Sequence, residues 1–90
     1  MTNAEFIANV IIEVMTDDPA KIIEAQADAK MMTDLGAAFG YTRAQLMAEY
    51  SLVMFRSMNK SNFPELKTLT AADDQLVQDL IAAHIEKAGW

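Results

Sequence analysis

The stretch from Tyr41 to Lys60, YTRAQLMAEYSLVMFRSMNK, constrains the fold of this chain more than any other. At the ~100° per residue of a helix, its apolar side chains fill one broad sector, and only a narrow polar strip remains opposite. The apolar sector holds Leu46, Met47, Tyr50, Val53, Met54, Ser57 and Met58, and the polar strip holds Gln45, Glu49, Arg56 and Lys60. A helix that is apolar around most of its circumference must be covered by several neighbours. We therefore predict that this stretch is the central helix of a small all-α domain.

Length and composition agree with one folded domain. The 90 residues are 52% hydrophobic and 22% charged, with three Gly and two Pro, which is typical of a helical globular protein. No stretch reaches the ~20 apolar residues of a membrane-spanning helix. The N-terminus MTNAEF lacks the basic segment of a signal peptide. We expect a single all-helical domain over residues 1–90, without a membrane association and located in the cytoplasm.

The charge of the chain bears on its partners. The formal net charge is −6 at pH 7, which weighs against binding to a nucleic-acid backbone, since that requires clustered Lys and Arg. The same charge suits a basic protein partner. The chain has no Cys, so it has no disulfide, no thiolate nucleophile and no thiolate metal site.

The first helix is predicted over residues 3–16, with Thr2 or Asn3 as its N-cap. The second is predicted over roughly 19–39, because Asp18 is a good N-cap and Pro19 suits the first helical position. The apolar face of the first helix consists of Phe6, Ile7, Val10, Ile11 and Val14.

The second helix has an internal inconsistency. Its first half places Lys21, Glu24 and Asp28 on one face, and its second half places Met31, Met32, Leu35 and Phe39 on nearly the same face. Three explanations are open: a break near residues 28–30, different packing partners for the two halves, or an intermolecular contact by the Met/Phe end. No Gly or Pro lies near the change of phase, so we favour one helix with changing neighbours. Gly40 is placed to end it.

A capping box of Thr42 and Gln45 starts the central helix. The connector SNFPELKTL follows it, and Pro64 allows a single turn there. Phe63, Leu66 and Leu69 are expected to attach the connector to the other helices. The last helix is predicted over 71–88, between Thr70 and Gly89, and its apolar face consists of Leu76, Val77, Leu80, Ile81, His84 and Ala88. The prediction is a four-helix, bundle-like domain with a short connector turn between helices 3 and 4.

Few residues are candidates for chemistry. His84 is the sole histidine, and its position on an apolar stripe indicates a partly buried residue that bonds a backbone carbonyl, since metal and acid–base sites need partners. The pairs Asp17-Asp18 and Asp73-Asp74 lie where helices start or end, which indicates capping. Ser51 and Ser57 have no base within helical reach. We expect no enzyme activity, no cofactor and no metal.

One motif resemblance concerns DNA. Gly36, Gly40 and Leu46 have a spacing similar to that of a helix-turn-helix. The resemblance implies that residues 42–58 are a recognition helix whose Arg43 and Gln45 read base edges. The alternative function is therefore a helix-turn-helix DNA-binding regulator.

A second resemblance covers four residues. Asp34-Leu35-Gly36-Ala37 is similar to a segment of acyl carrier proteins, which are also short, acidic and four-helical. Ala38-Phe39-Gly40 stands where that family has Asp-Ser-Leu. The serine that carries phosphopantetheine is therefore missing.

Methionine provides the leading functional prediction. Five of the seven Met residues fall between positions 31 and 58, and Met serves both as a core filler and on adaptable binding surfaces. Phe55 lies outside the main apolar sector of the central helix, which predicts that it is exposed. We predict a small acidic interaction protein, an adaptor, inhibitor or assembly factor, that also forms a homodimer. The predicted protein-binding residues are Met31, Met32, Phe39, Phe55 and Met58.

Overall fold

Side-chain caps fix where the helices begin in the computed structural model, which describes residues 1–59 and 61–90. The elements are α1 (Asn3–Asp17), α2 (Pro19–Asp34), α3 (Arg43–Met58), a 3-10 turn (Pro64–Thr68) and α4 (Ala71–Ala88). Capping boxes start three helices, formed by Thr2 with Glu5, Thr42 with Gln45 and Thr70 with Asp73. The prediction of an all-α domain with four helices and a connector turn is confirmed.

A glycine ends α2 five residues earlier than predicted. Gly36 has a positive φ of 71°, a conformation that glycine adopts without strain. The N–H of Ala37 bonds the carbonyl of Met32, and the N–H of Gly36 bonds that of Thr33, which is the Schellman pattern of a helix end. The predicted end at Phe39–Gly40 is therefore wrong, and residues 35–42 form a loop.

The helices pack around α3. It lies mainly against α2 and α4, and α4 also packs against α1. Large side chains from α1, α3 and α4 fill the centre. The most deeply buried are Ile7, Ile11, Met15, Met47, Leu52, Val77, Ile81 and Ile85.

The buried face of α3 is rotated from the predicted one. The structure buries Ala44, Leu46, Met47, Ala48, Ser51, Leu52 and Phe55. Val53 and Met58 of the predicted apolar sector are 54% and 62% exposed, whereas Phe55 is only 7% exposed. The small side chains of Ala44, Ala48 and Ser51 explain the rotation, because helices approach most closely where side chains are small. The prediction that Phe55 is exposed is wrong. Lys60, predicted for the polar strip, lies outside the described residues.

The last helix shows a smaller rotation. Its buried side chains are Val77, Ile81, Ala82 and Ile85. Leu80 and His84 are half-buried, and Leu76 is 41% exposed. The bounds predicted for α4 are confirmed, but its buried face lies about one residue further along the chain than the predicted face.

The phase conflict in α2 has a simple structural basis. The helix continues without a break through residues 28–30, as predicted. Its inner face consists of the fully buried Ala25 and Ala29, with Ile22 and Met32 half-buried beside them. Its large apolar residues near the C-terminal end do not turn to the core: Met31 is 52% and Leu35 is 73% exposed. The Met/Leu side of the C-terminal half therefore remains largely exposed, and α2 packs against both α3 and α1.

Trp90 joins three helices at one corner of the domain. Its carbonyl accepts hydrogen bonds from Gln26 of α2 and from Arg43 of α3, each at 2.7 Å. Its ring packs edge-on against the imidazole of His84 on α4, with 5.1 Å between the ring centroids. This corner lies at the start of α3.

Candidate protein-binding site

An apolar groove opens between α1, the end of α3 and the start of α2. Its volume is about 270 Å³, slightly below the roughly 300–1,000 Å³ of ligand sites. Its walls are mainly apolar and include Val10, Val14, Met54, Phe55, Met58 and Phe63. The groove is therefore large enough for a few apolar side chains. We call it the α1–α3 groove.

Three aromatic rings pack together at one end of this groove. The centroid of Phe63 lies 5.1 Å from that of Phe55 and 6.3 Å from that of Phe6, and both pairs are tilted, a geometry that aromatic rings favour. Leu66 of the connector turn is buried, and Phe63 and Leu69 are half-buried against the core. The predicted attachment of the connector by these three residues is confirmed. Phe55 thus forms part of the inner wall and supports Phe63.

Charged side chains surround the apolar walls. Lys21 and Glu24 of α2 line the groove itself. Asp17 follows Val10 and Val14 on α1 at i+7 and i+3, so it lies on the same side of that helix, and it is exposed. The lining itself holds one base and one acid, Lys21 and Glu24, so Asp17 is the charge that α1, which has no Lys or Arg, adds beside the groove.

The second apolar surface lies at the other end of α2 and in the loop that follows. Phe39 is 86% exposed and Leu35 is 73% exposed. Beside them, the Lys30 ammonium lies 2.6 Å from an Asp34 carboxylate oxygen. This hydrogen bond raises the pKa of Lys30 above its ordinary value. Since both partners are well exposed, the ion pair contributes little to stability.

The five predicted binding residues are therefore not in one patch. Phe55 and Met58 meet in the α1–α3 groove, where Met58 is exposed and Phe55 is buried. Met31 and Phe39 belong to the exposed surface around the end of α2. Met32 is half-buried against the core beneath that surface. The two places lie at opposite ends of α3, a helix of 16 residues and hence about 24 Å long.

Sequence reasoning missed several residues of the groove. Val10 and Val14 were assigned to the core face of α1, and Phe63 was assigned only to the attachment of the connector. The hydrophobic pattern does identify all three as apolar-facing residues. It cannot show that α1 and α3 diverge enough to leave them partly open, because that depends on the rotation of α3.

The candidate residues for chemistry occupy structural positions. The Ser51 hydroxyl is buried and donates a hydrogen bond to the Met47 carbonyl at 2.8 Å. His84 is half-buried, as predicted. The predicted hydrogen bond to a backbone carbonyl is not formed within the described residues, and the imidazole packs against the Trp90 ring instead. The Asp18 side chain accepts a hydrogen bond from the Ala20 N–H, and Asp73 belongs to the capping box of α4. Asp18 and Asp73 therefore cap helices, as predicted. Asp74, for which capping was also predicted, instead accepts a hydrogen bond from Arg56 of α3.

The loop between α2 and α3 bears on the resemblance to DNA-binding proteins. Residues 35–42 separate the two helices, whereas a helix-turn-helix has a turn of about three or four residues. Arg43, the first residue of the predicted recognition helix, donates to the Trp90 carbonyl instead of standing free. The geometry of that motif is therefore not formed here.

No protein-family model, curated protein or solved structure matches the chain. Within residues 1–59 and 61–90, no helix is both long enough and apolar enough to span a bilayer.

Proposed function

We propose that this protein is a small acidic interaction module that binds a partner protein in the α1–α3 groove. The observation that carries the proposal is the groove itself, an open apolar site next to an acidic helix. Met54 and Met58 on its wall are 37% and 62% exposed. Flexible thioether side chains adapt to the shape of a bound partner.

The occupant that fits best is an amphipathic helix with basic flanks. A helix binds such a groove through apolar anchors spaced one turn apart, and the volume of about 270 Å³ accepts a few of them. Basic residues beside those anchors would face Asp17 and Glu24, and they would be attracted by the net charge of −6. An adaptor, inhibitor or assembly factor acts through such contacts.

Two designed helical peptides test the proposal. Both carry the same leucine face, but the flanking residues are Lys in one and Glu in the other. We expect the Lys peptide to bind at least about tenfold more tightly and to lose affinity as salt is added. Fluorescence anisotropy of dye-labelled peptides measures both affinities.

Met58→Asp distinguishes binding in the groove from charge attraction alone. The variant adds a carboxylate to the apolar wall, so binding in the groove should be lost because an anchor would have to desolvate the carboxylate. Non-specific attraction of a cationic peptide would be unchanged or stronger. Met31→Asp, at the far end of α2, adds the same charge and should leave the affinity unchanged. Equal effects of the two variants would contradict the proposal.

The proposal also retains two sequence-based predictions. One is a cytoplasmic location. The other is a homodimer, whose support is now different, because Phe55 is buried in the groove wall and offers no exposed surface to a second copy. The exposed apolar residues of α2 support it instead.

A further inference from the structure

The outer side of α2 carries an apolar residue at every fourth position. Pro19, Ile23, Ala27, Met31 and Leu35 follow one another at this spacing, and all five are exposed. We call this row the α2 ridge. Rows with i±4 spacing form the ridges that interlock in the commonest class of helix packing, with a crossing angle of about −50°. In most surface helices this side is polar.

We propose that the α2 ridge is a homodimer interface in which the α2 helices of two copies cross at Ala27. This inference rests on the homodimer proposed above and names its contact surface. Ala27 is the smallest residue of the ridge and stands at its centre. Two helices can therefore approach closely at this point, with their axes about 8 Å apart.

The order of residues in the ridge suits a second copy of the same chain. A two-fold interface uses one patch twice, so the patch has to complement itself. Ile23 and Met31 stand four residues to either side of Ala27, and Pro19 and Leu35 stand eight residues to either side. Each half of the ridge thus presents apolar side chains at the same distances from the crossing point.

The charges around the ridge permit self-association better than those of α1. The chain as a whole is acidic, so copies repel one another. In α2, Lys21 and Lys30 offset two of its three acidic side chains, whereas α1 has three acidic side chains and no basic one. At the edge of the ridge, Lys30 is paired with Asp34. Like-charge repulsion is therefore small on this side of the domain.

The size of the ridge sets the expected strength of the dimer. A stable interface buries roughly 800 Å² on each partner, and one helix crossing covers only part of that area. Phe39, which is 86% exposed in the adjoining loop, enlarges the apolar surface. We expect a dimer that dissociates on dilution.

Single-cysteine cross-linking tests where the copies meet. The chain has no Cys, so Ala27→Cys introduces a unique thiol at the proposed crossing. Oxidation by air with a copper–phenanthroline catalyst should join two copies, because a disulfide forms only when the Cα atoms lie within about 7 Å. Ala83→Cys is the matched control, since Ala83 is also exposed within a helix, on α4. Equal cross-linking of the two variants would overturn the inference.

Sedimentation equilibrium separates failure of the interface from failure of the wider proposal. The wild type should change from 10.0 kDa to twice that mass as its concentration rises. Met31→Asp should keep the protein monomeric, and Met58→Asp should leave the dimer intact. Dimerisation that survives Met31→Asp overturns the ridge interface alone. A wild type that is monomeric at every concentration overturns the homodimer as well, while peptide binding in the groove still tests the proposed function separately.

Discussion

Phe55→Asp should unfold the domain, whereas Met58→Asp should not. The two residues are three positions apart on α3 and both line the α1–α3 groove. Phe55 is only 7% exposed, while Met58 is 62% exposed. The ring of Phe55 also supports Phe63, at a centroid distance of 5.1 Å. An aspartate therefore meets very different surroundings at the two positions.

The expected magnitudes follow from burial. A buried Phe→Ala change costs about 3–5 kcal/mol, and this value already includes lost contacts such as that with Phe63. A 90-residue domain has a free energy of unfolding of roughly 5–13 kcal/mol. Phe55→Asp adds the cost of placing a carboxylate in an apolar site, several kcal/mol more. Phe55→Ala should thus remain marginally folded, and Phe55→Asp should be mostly unfolded.

Urea denaturation followed by far-UV circular dichroism measures these differences. With a slope of about 1–3 kcal/mol/M, Phe55→Ala should lower the midpoint by at least ~1 M. Met58→Asp should change the free energy of unfolding by no more than about 0.5 kcal/mol, as exposed substitutions usually do. A folded Phe55→Asp variant with the wild-type midpoint would refute the buried position of Phe55 and the rotation of α3.

Three further predictions concern the other elements. Ile81→Ala should lower the free energy of unfolding by about 2–5 kcal/mol. Leu80→Ala should lower it clearly less, because Leu80 is half-buried. Equal urea midpoints of the two variants would contradict the assigned face of α4. Arg43→Ala should lower stability slightly, because the hydrogen bond to the Trp90 carbonyl is lost. It should not change any binding to duplex DNA. If the variant instead reduced the slope of log affinity against log salt concentration by about one in a DNA titration, that would support a recognition helix. The pKa of Glu5 lies below its ordinary value of 4.5 because its carboxylate accepts a hydrogen bond from the backbone N–H of the N-cap threonine. The ionised Glu5 carboxylate therefore stabilises the folded protein fully above the ordinary pKa, and this contribution is lost as the pH falls through the lowered pKa. Glu5→Gln should destabilise the protein at neutral pH and have no effect in acid. Urea midpoints at the two pH values would show this.

Helix boundaries could be predicted well because their determinants are local. The hydroxyls of Thr42 and Thr70 bond backbone N–H groups three residues away, so a short sequence contains both partners. Pro19 acts in the same local way at the start of α2. The end of α2 could not be fixed, because Gly36 and Gly40 both have positive φ angles and either could have ended a helix.

Helix faces were predicted less well because burial is decided by distant neighbours. The hydrophobic pattern of α3 favoured its large side chains, such as Val53 and Met58. The structure instead buries the small side chains of Ala44, Ala48 and Ser51. The five predicted binding residues fall into two separate places for the same reason. Once α3 is rotated, Phe55 becomes part of the groove wall, and the Met and Phe residues near the end of α2 remain on the other surface.

The small inner face of α2 has a consequence for local opening. This helix completely buries only Ala25 and Ala29, so releasing it exposes far less apolar area than releasing α1 or α4. Segments with little buried apolar area open at the lowest free energy and exchange their amide hydrogens fastest. We therefore expect the amides of α2 to be the first of the four helices to exchange with deuterated solvent. Their exchange should slow with rising protein concentration only if another copy covers the helix. The exchange rate of the α2 amides would therefore be the most sensitive indicator of self-association.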